Sequence, residues 1–278
     1  MKVLISADME GISGIVDWEE VTPGTSDYAA RGRQLMTDDV NAAINGAFTG
    51  GADEVVVADG HWNGRNILIE RLDPRARLNS GSPSPYSMLQ GLDDKPTPEA
   101  VICLGYHAMQ STKKAVLDHT WSDTRVRAVY LNDVLVGELG LNAALAGAWG
   151  APVIAVTGDQ HAGLEAQELL GSGLEIAVVK NATGRFAAQC LPLPEARERI
   201  CDACAKAVVR LKEGRAARPY VVAEPVRLAV EFQHTQYADR GFLMPGSERR
   251  TGTRLELTLP DMITAHRAFR GLMLMTRD

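Results

Sequence analysis

Val3-Leu4-Ile5 runs straight into Ser6-Ala7-Asp8-Met9-Glu10-Gly11-Ile12, an apolar segment that ends by delivering two carboxylates. The run is short and β-rich, so it reads as a buried strand. Side chains at the carboxyl ends of strands in an open α/β sheet face the crevice where ligands bind. Asp8 and Glu10 are two apart and therefore share one side of an extended segment. Carboxylates held that close repel unless protons or cations lie between them, and a divalent metal is the commonest answer. A solvated acidic pair capping a loop is the plainer alternative, and the rest of the chain has to decide. Gly11 and Gly14 let the backbone turn tightly away.

The same pattern recurs outward from this stretch. Leu35, Val40, Ile44, Ala47 and Phe48 approximate a helical stripe between Asp27 and Gly50. Glu54-Val55-Val56-Val57-Ala58 is a second buried strand, so strand, helix and strand make a right-handed βαβ unit with parallel strands. It ends in Asp59-Gly60-His61, which places His61 at the same sheet edge as Asp8 and Glu10. Residues 79–98 are rich in Ser, Pro, Gly and Asp and read as a surface connection. Val101-Ile102-Cys103-Leu104 is a third strand, ending in Gly105-Tyr106-His107, and Ala115-Val116-Leu117 is expected to be a short one before Asp118-His119. Residues 126–136 read as a hairpin around Asn132-Asp133. Glu138 opens the next helix, where an acid also suits the helix dipole without further function. Pro152 to Thr157 is another strand, followed by Asp159-Gln160-His161, a helix over Leu164 to Leu170 and a strand over Leu174 to Val179.

Such alternation predicts an α/β fold: a mostly parallel sheet with helices on both faces over residues 1–190. Beyond Pro192 the texture changes to a helix (Arg197 to Leu211), a strand-rich stretch (Tyr220 to Phe232), a strand (Arg254 to Leu259) and a last helix (Asp261 to Met275). Residues 191–278 are therefore expected to form a smaller α+β domain.

Composition narrows the function. The net charge of -6, from 29 Lys+Arg and 35 Asp+Glu, comes without a basic cluster and argues against nucleic acid as a partner. No apolar run reaches the roughly 18 residues of a membrane span, and the N-terminus enters a strand at once instead of a leader. Four scattered cysteines give no disulfide framework; Cys201-x-x-Cys204 lies within a helical pattern and reads as a plain reduced pair, so a cytoplasmic home is expected.

Asp8, Glu10, His61 and His107 thus come from the ends of three predicted parallel strands, which the sheet gathers into one crevice. With Glu138 the set holds three carboxylates and two imidazoles, a mixture suited to Zn²⁺, Mn²⁺ or Co²⁺. Five side chains exceed what one catalytic metal takes from a protein and fit two metals sharing a bridging carboxylate. His161 also follows a strand, and spacing alone does not separate it from the ligands. His234 and His266 read as ordinary residues of the second domain.

Ser6-Ala7-Asp8-Met9-Glu10-Gly11, Asp59-Gly60-His61, Gly105-Tyr106-His107 and Asn132-Asp133 through Gly137-Glu138-Leu139-Gly140-Leu141-Asn142 together resemble the D-aminopeptidase family of dinuclear zinc metallopeptidases. The similarity runs nearly end to end, through Leu243-Met244-Pro245-Gly246 and Thr251-Gly252-Thr253. The resemblance implies two zinc ions with Asp8 bridging, Glu10 and His107 on one, and His61 and Glu138 on the other. It further implies His119 as the catalytic residue, His161 as a helix-start residue, short peptides with N-terminal D-residues as substrates, and a ring-shaped homo-oligomer, expected to be a decamer. Two other readings stand beside it. Asp8-x-Glu10-Gly11 approximates the opening of the haloacid dehalogenase phosphatases, although the second acid is Glu and no downstream Lys is clearly placed for a phosphate. A non-catalytic, metal-stabilised ring protein that binds peptides would show closed coordination.

Overall fold

The computed structural model describes residues 1–277. Along the chain run β1 (Lys2–Ala7), α1 (Arg33–Thr49), β2 (Glu54–Asp59), β3 (Arg77–Asn79), β4 (Ala100–Tyr106), β5 (Val126–Leu131), β6 (Val134–Val136), α2 (Glu138–Ala148), β7 (Val153–Asp159), α3 (Gln160–Leu170), β8 (Glu175–Gly184), β9 (Ala187–Cys190), α4 (Leu193–Lys212), β10 (Val226–Phe232), α5 (Thr235–Gly241), β11 (Glu248–Arg249), β12 (Arg254–Leu259) and α6 (Met262–Met275).

Alternation along β1 sets the layers. Val3 and Ile5 pack with α1 and α4 on one face, and Leu4 packs with Val101, Cys103 and the α2 residues Leu139 and Ala143 on the other. All three β1 side chains are 0% exposed, so each contributes about 1.5–3 kcal/mol of apolar burial. The seven-stranded sheet has the order β3-β2-β1-β4-β7-β8-β9, parallel throughout except for the β8/β9 pair. Because β1 lies between β2 and β4, with Ala7 opposite both Asp59 and Leu104, the residues that follow these strands leave the sheet together.

The second sheet, β11-β12-β10-β5-β6, is antiparallel and is packed by α5 and α6. Its hairpin turns on Asn132 and Asp133 at φ +47° and +69°, the left-handed pair that a tight two-residue turn demands. The sheets do not divide at residue 190 as expected from the change in texture. β5 and β6 belong to the second sheet because Val129 and Leu131 pair with Val230 and Leu228 of β10. Conversely, α4 buries Ala196, Ile200, Cys204 and Val208 in the core of the first sheet.

Three local expectations also change. Ala115-Val116-Leu117 is a buried turn rather than a strand, with Leu117 at φ +49°. β3 is an edge strand too short and polar to stand out in the sequence. Within Tyr220 to Phe232 only the β10 residues are extended in a sheet. Among the described residues no helix is long and apolar enough to cross a membrane.

Candidate metal centre

Close contact between the segments after β1 and β4 brings the first two carboxylates to the sheet edge. Asp8 N donates to Leu104 O and Gly11 N to Gly105 O, both at 2.8 Å. A Cβ on Gly11 would lie 2.1 Å from Tyr106 O, so no side chain fits there. Beneath, Ser6 Oγ, Tyr106 OH and Asn142 Nδ2 form a buried chain of 2.7 Å hydrogen bonds tying β1, β4 and α2 together.

Six side chains converge in two groups, Asp8, Glu10 and His61 in one and His107, His119 and Glu138 in the other, each with its ligating atoms within 4.8 Å of one another. Asp8 stands between them, with Oδ1 3.2 Å from His61 Nδ1 and Oδ2 3.4 Å from His107 Nε2. His61 Nδ1 is also 3.2 Å from Glu10 Oε2, and His107 Nε2 is 3.1 Å from Glu138 Oε1. In this arrangement His61 lies beside Glu10 and His107 beside Glu138, a grouping different from the division the resemblance implies. Sheet order is the reason, since β2 and β4 flank β1 and offer their histidines to opposite oxygens of Asp8. His161 is not part of either group; its N–H is capped by Asp159 at 2.9 Å, as a helix-start residue.

Each of the three imidazoles rests one ring nitrogen on a backbone carbonyl, which leaves the other nitrogen facing the carboxylates. His61 Nε2–H donates to Val21 O at 2.8 Å, His107 Nδ1–H to Ala108 O at 2.9 Å and His119 Nδ1–H to Leu117 O at 2.9 Å. Their other nitrogens face carboxylate oxygens, His61 Nδ1 at 3.2 Å from Asp8 Oδ1, contacts that a proton bridges in the metal-free protein and that a cation would take over. Asp8 Oδ2, Glu10 Oε2 and His107 Nε2 are buried without a hydrogen-bond partner among the described residues, although oppositely chargeable groups lie within 3.4 Å. Atoms so placed fit around cations, and the donor set of three carboxylates and imidazoles suits zinc.

Electrostatics agree. Burial and the neighbouring Glu10 push the Asp8 carboxyl up to about 7. Burial disfavours the charged form of His61 and His107, but the facing carboxylates outweigh it and raise both well above the usual value. His119 moves the other way: burial and the His107 ring, stacked on it at 4.0 Å, hold its pKa below the usual histidine range. It is therefore neutral at pH 7, with Nε2 3.3 Å from Glu138 Oε1.

Second-layer groups escaped the sequence reading. Asp59 accepts from Asn66 N at 2.6 Å and Ile67 N at 2.9 Å, fixing the loop that carries His61. Asp118 accepts from Ser111 N at 2.7 Å and Arg185 Nε at 3.1 Å, fixing the loop that carries His119. An acid at a strand end or beside the candidate histidine was the available signal in both cases. Lys180, fully buried, donates through Nζ to the carbonyls of Glu10, Ile12 and Ile15. The centre opens into a cleft of about 510 Å³ walled by Trp18, Trp62 and Trp121.

Residues 1–271 match the family profile described as D-aminopeptidase, peptidase family M55. A curated D-aminopeptidase of Bacillus subtilis (strain 168) is 39% identical over 269 residues, which is 96% of this chain and 95% of that protein. The solved structure described as the Zn-dependent D-aminopeptidase DppA from Bacillus subtilis, a self-compartmentalizing protease, superposes with a TM-score of 0.93 at 38% identity, covering 99% of this chain and 98% of that one.

Proposed function

The chain belongs to the D-aminopeptidase family and is a metal-dependent aminopeptidase; from that premise we propose that it removes N-terminal D-residues from short peptides. Two zinc ions per subunit would be held by Asp8 as the bridge, Glu10 with His61, and His107 with Glu138. The observation that carries this reading is the convergence of imidazole nitrogens on three buried carboxylates, with Asp8 Oδ2, Glu10 Oε2 and His107 Nε2 left without a hydrogen-bond partner among the described residues. Such ions, when bound, supply Lewis acidity and lower the pKa of water toward neutrality. His119 is the catalytic residue in this proposal. Its Nδ1–H is fixed on Leu117 O, so Nε2 can take a proton from the attacking water and return it to the leaving amine. Trp18, edge-on to the His119 ring at 5.4 Å, holds the ring in place and excludes water.

The relative described as self-compartmentalizing supports assembly into a ring-shaped homo-oligomer, which we propose is a decamer. Cytoplasmic location is proposed with it. The phosphatase reading finds no support in the relatives, and Lys180 spends its three N–H donors on backbone carbonyls, leaving none for a phosphate. Closed, non-catalytic coordination is likewise disfavoured by the cleft that reaches Asp8, Glu10, His61 and Glu138.

One preparation tests the whole reading. Zinc content should approach two per subunit, D-Ala-D-Ala should be hydrolysed in preference to L-Ala-L-Ala, p-nitrophenyl phosphate should be left intact, and a chelator should abolish turnover. Chelator-resistant hydrolysis, or turnover of the phosphate ester alone, would reject it.

A further inference from the structure

The cleft has an end opposite in charge to the metal centre. Arg270 of α6 lines it and lies partly buried over the ring of Trp121, its Cζ 5.0 Å from the ring centroid. The ring is itself fixed edge-on against the fully buried Phe269 at 5.0 Å. Among the described residues Arg270 has no carboxylate partner: Asp123, which also lines the cleft, pairs with Arg185, and the remaining lining acids belong to the metal centre. Arg125 and Arg277, both of like sign, also line this end. A half-desolvated guanidinium without a counter-ion is unfavourable on its own and is favourable once an anion arrives.

Trp121 connects this arginine to the reacting end. Its backbone N–H donates to Glu138 Oε1 at 2.7 Å while its ring carries Arg270. The residue sits at φ +64°, a conformation that bulky side chains rarely take and that is found where neighbours enforce it. One residue thus sets the spacing between a metal-facing carboxylate and an unpaired guanidinium across a single cleft. A short peptide is bipolar in the same sense, with its amino end and scissile carbonyl at one end and a carboxylate at the other. At about 3.3–3.6 Å per extended residue, only a chain of a few residues brings that carboxylate within such a cleft.

We propose that Arg270, seated on Trp121, is the binding site for the C-terminal carboxylate of the peptide, so that the enzyme selects short peptides with a free C-terminus. This rests on the aminopeptidase reading above and adds a specificity determinant to it. Arg suits the role because its planar fork bonds a carboxylate at two points.

The test compares D-Ala-D-Ala with its C-terminal amide on zinc-loaded wild type, Arg270→Met and Arg270→Lys. A charge-assisted pair should favour the acid over the amide by about 10- to 100-fold in kcat/KM for the wild type. Arg270→Met should collapse that ratio to about one, with the loss on the acid falling mainly in KM, and Arg270→Lys should keep an intermediate ratio. A structural role for Arg270 would lower both substrates together and preserve the ratio, which overturns the proposal, as does a wild type that cuts acid and amide equally well. Turnover of neither substrate by zinc-replete wild type would instead reject the aminopeptidase reading itself.

Discussion

Replacing Lys180 by methionine would release the loop that presents Glu10. The ammonium donates to Glu10 O at 2.6 Å, Ile12 O at 2.8 Å and Ile15 O at 2.6 Å, and three acceptors are served only by the charged form with its three protons. Burial pushes its pKa from 10.5 down to about 8, which still leaves it charged at neutral pH. Methionine keeps most of the stem but no donor, so three buried carbonyls lose partners at about 1–3 kcal/mol each, or about 3–9 kcal/mol together. Against this, the variant no longer desolvates a charge, an effect of about 3 kcal/mol for a depression of that size. The balance is a loss of about 0–6 kcal/mol, centred near 3, equivalent to about 6–12 °C in Tm. Calorimetry of the chelated proteins should show this drop, and competition with a chromophoric chelator should show zinc held at least tenfold more weakly. A chelated variant melting within about 2 °C of wild type, with unchanged zinc affinity, would refute the idea that this lysine shapes the site.

Three further outcomes follow from the centre and its surroundings. Asp8→Ala should lose both metals and His61→Ala only one, because Asp8 alone reaches both histidines, at 3.2 and 3.4 Å; two metals retained in purified Asp8→Ala would remove the bridge. His119→Ala should keep its metals and its Tm while kcat falls about 10²- to 10⁴-fold; metal content and activity falling together would make His119 a ligand instead. His266 is fully buried with neither ring nitrogen hydrogen-bonded among the described residues, and burial, then Arg270 and Arg267, push its pKa down to about 3. The unfolded chain takes up this proton near pH 6.5 and the native state only near 3, so stability should fall as pH drops through that window, by up to roughly 1.4 kcal/mol per unit. His266→Leu should flatten the acid limb in urea melts between pH 7 and 4.5, and equal slopes in both proteins would count against a neutral core histidine.

The convergence of Asp8, Glu10, His61, His107 and Glu138 was legible because each one follows a strand or opens a helix, and a parallel sheet gathers such positions whatever its detailed order. Which histidine meets which oxygen of Asp8 was not legible, since the order β2-β1-β4 is a property of pairing and not of sequence. Ala115-Val116-Leu117 shows a second limit: an apolar triplet reports burial, and a buried turn with φ +49° at Leu117 satisfies it as well as a strand does. No motif or spacing in the sequence marks Lys180 or Arg270. Their roles come from contacts spanning 170 residues in one case and 149 in the other, from Lys180 to Glu10 and from Arg270 to Trp121, which no local window contains.

The strand pairing of the hairpin that leads into Glu138 has a consequence for the order in which the protein is made. Every residue of the centre has been synthesised by position 138, yet β5 finds its partner β10 only when Phe232 has emerged, some 90 residues later. Until then the turn bearing Trp121 and the helix start bearing Glu138 lack the sheet that holds them. A nascent chain, or a fragment ending near residue 190, would therefore carry the complete set of metal-facing side chains without being an enzyme, and hydrolytic competence would arrive late, with the closing of the second sheet.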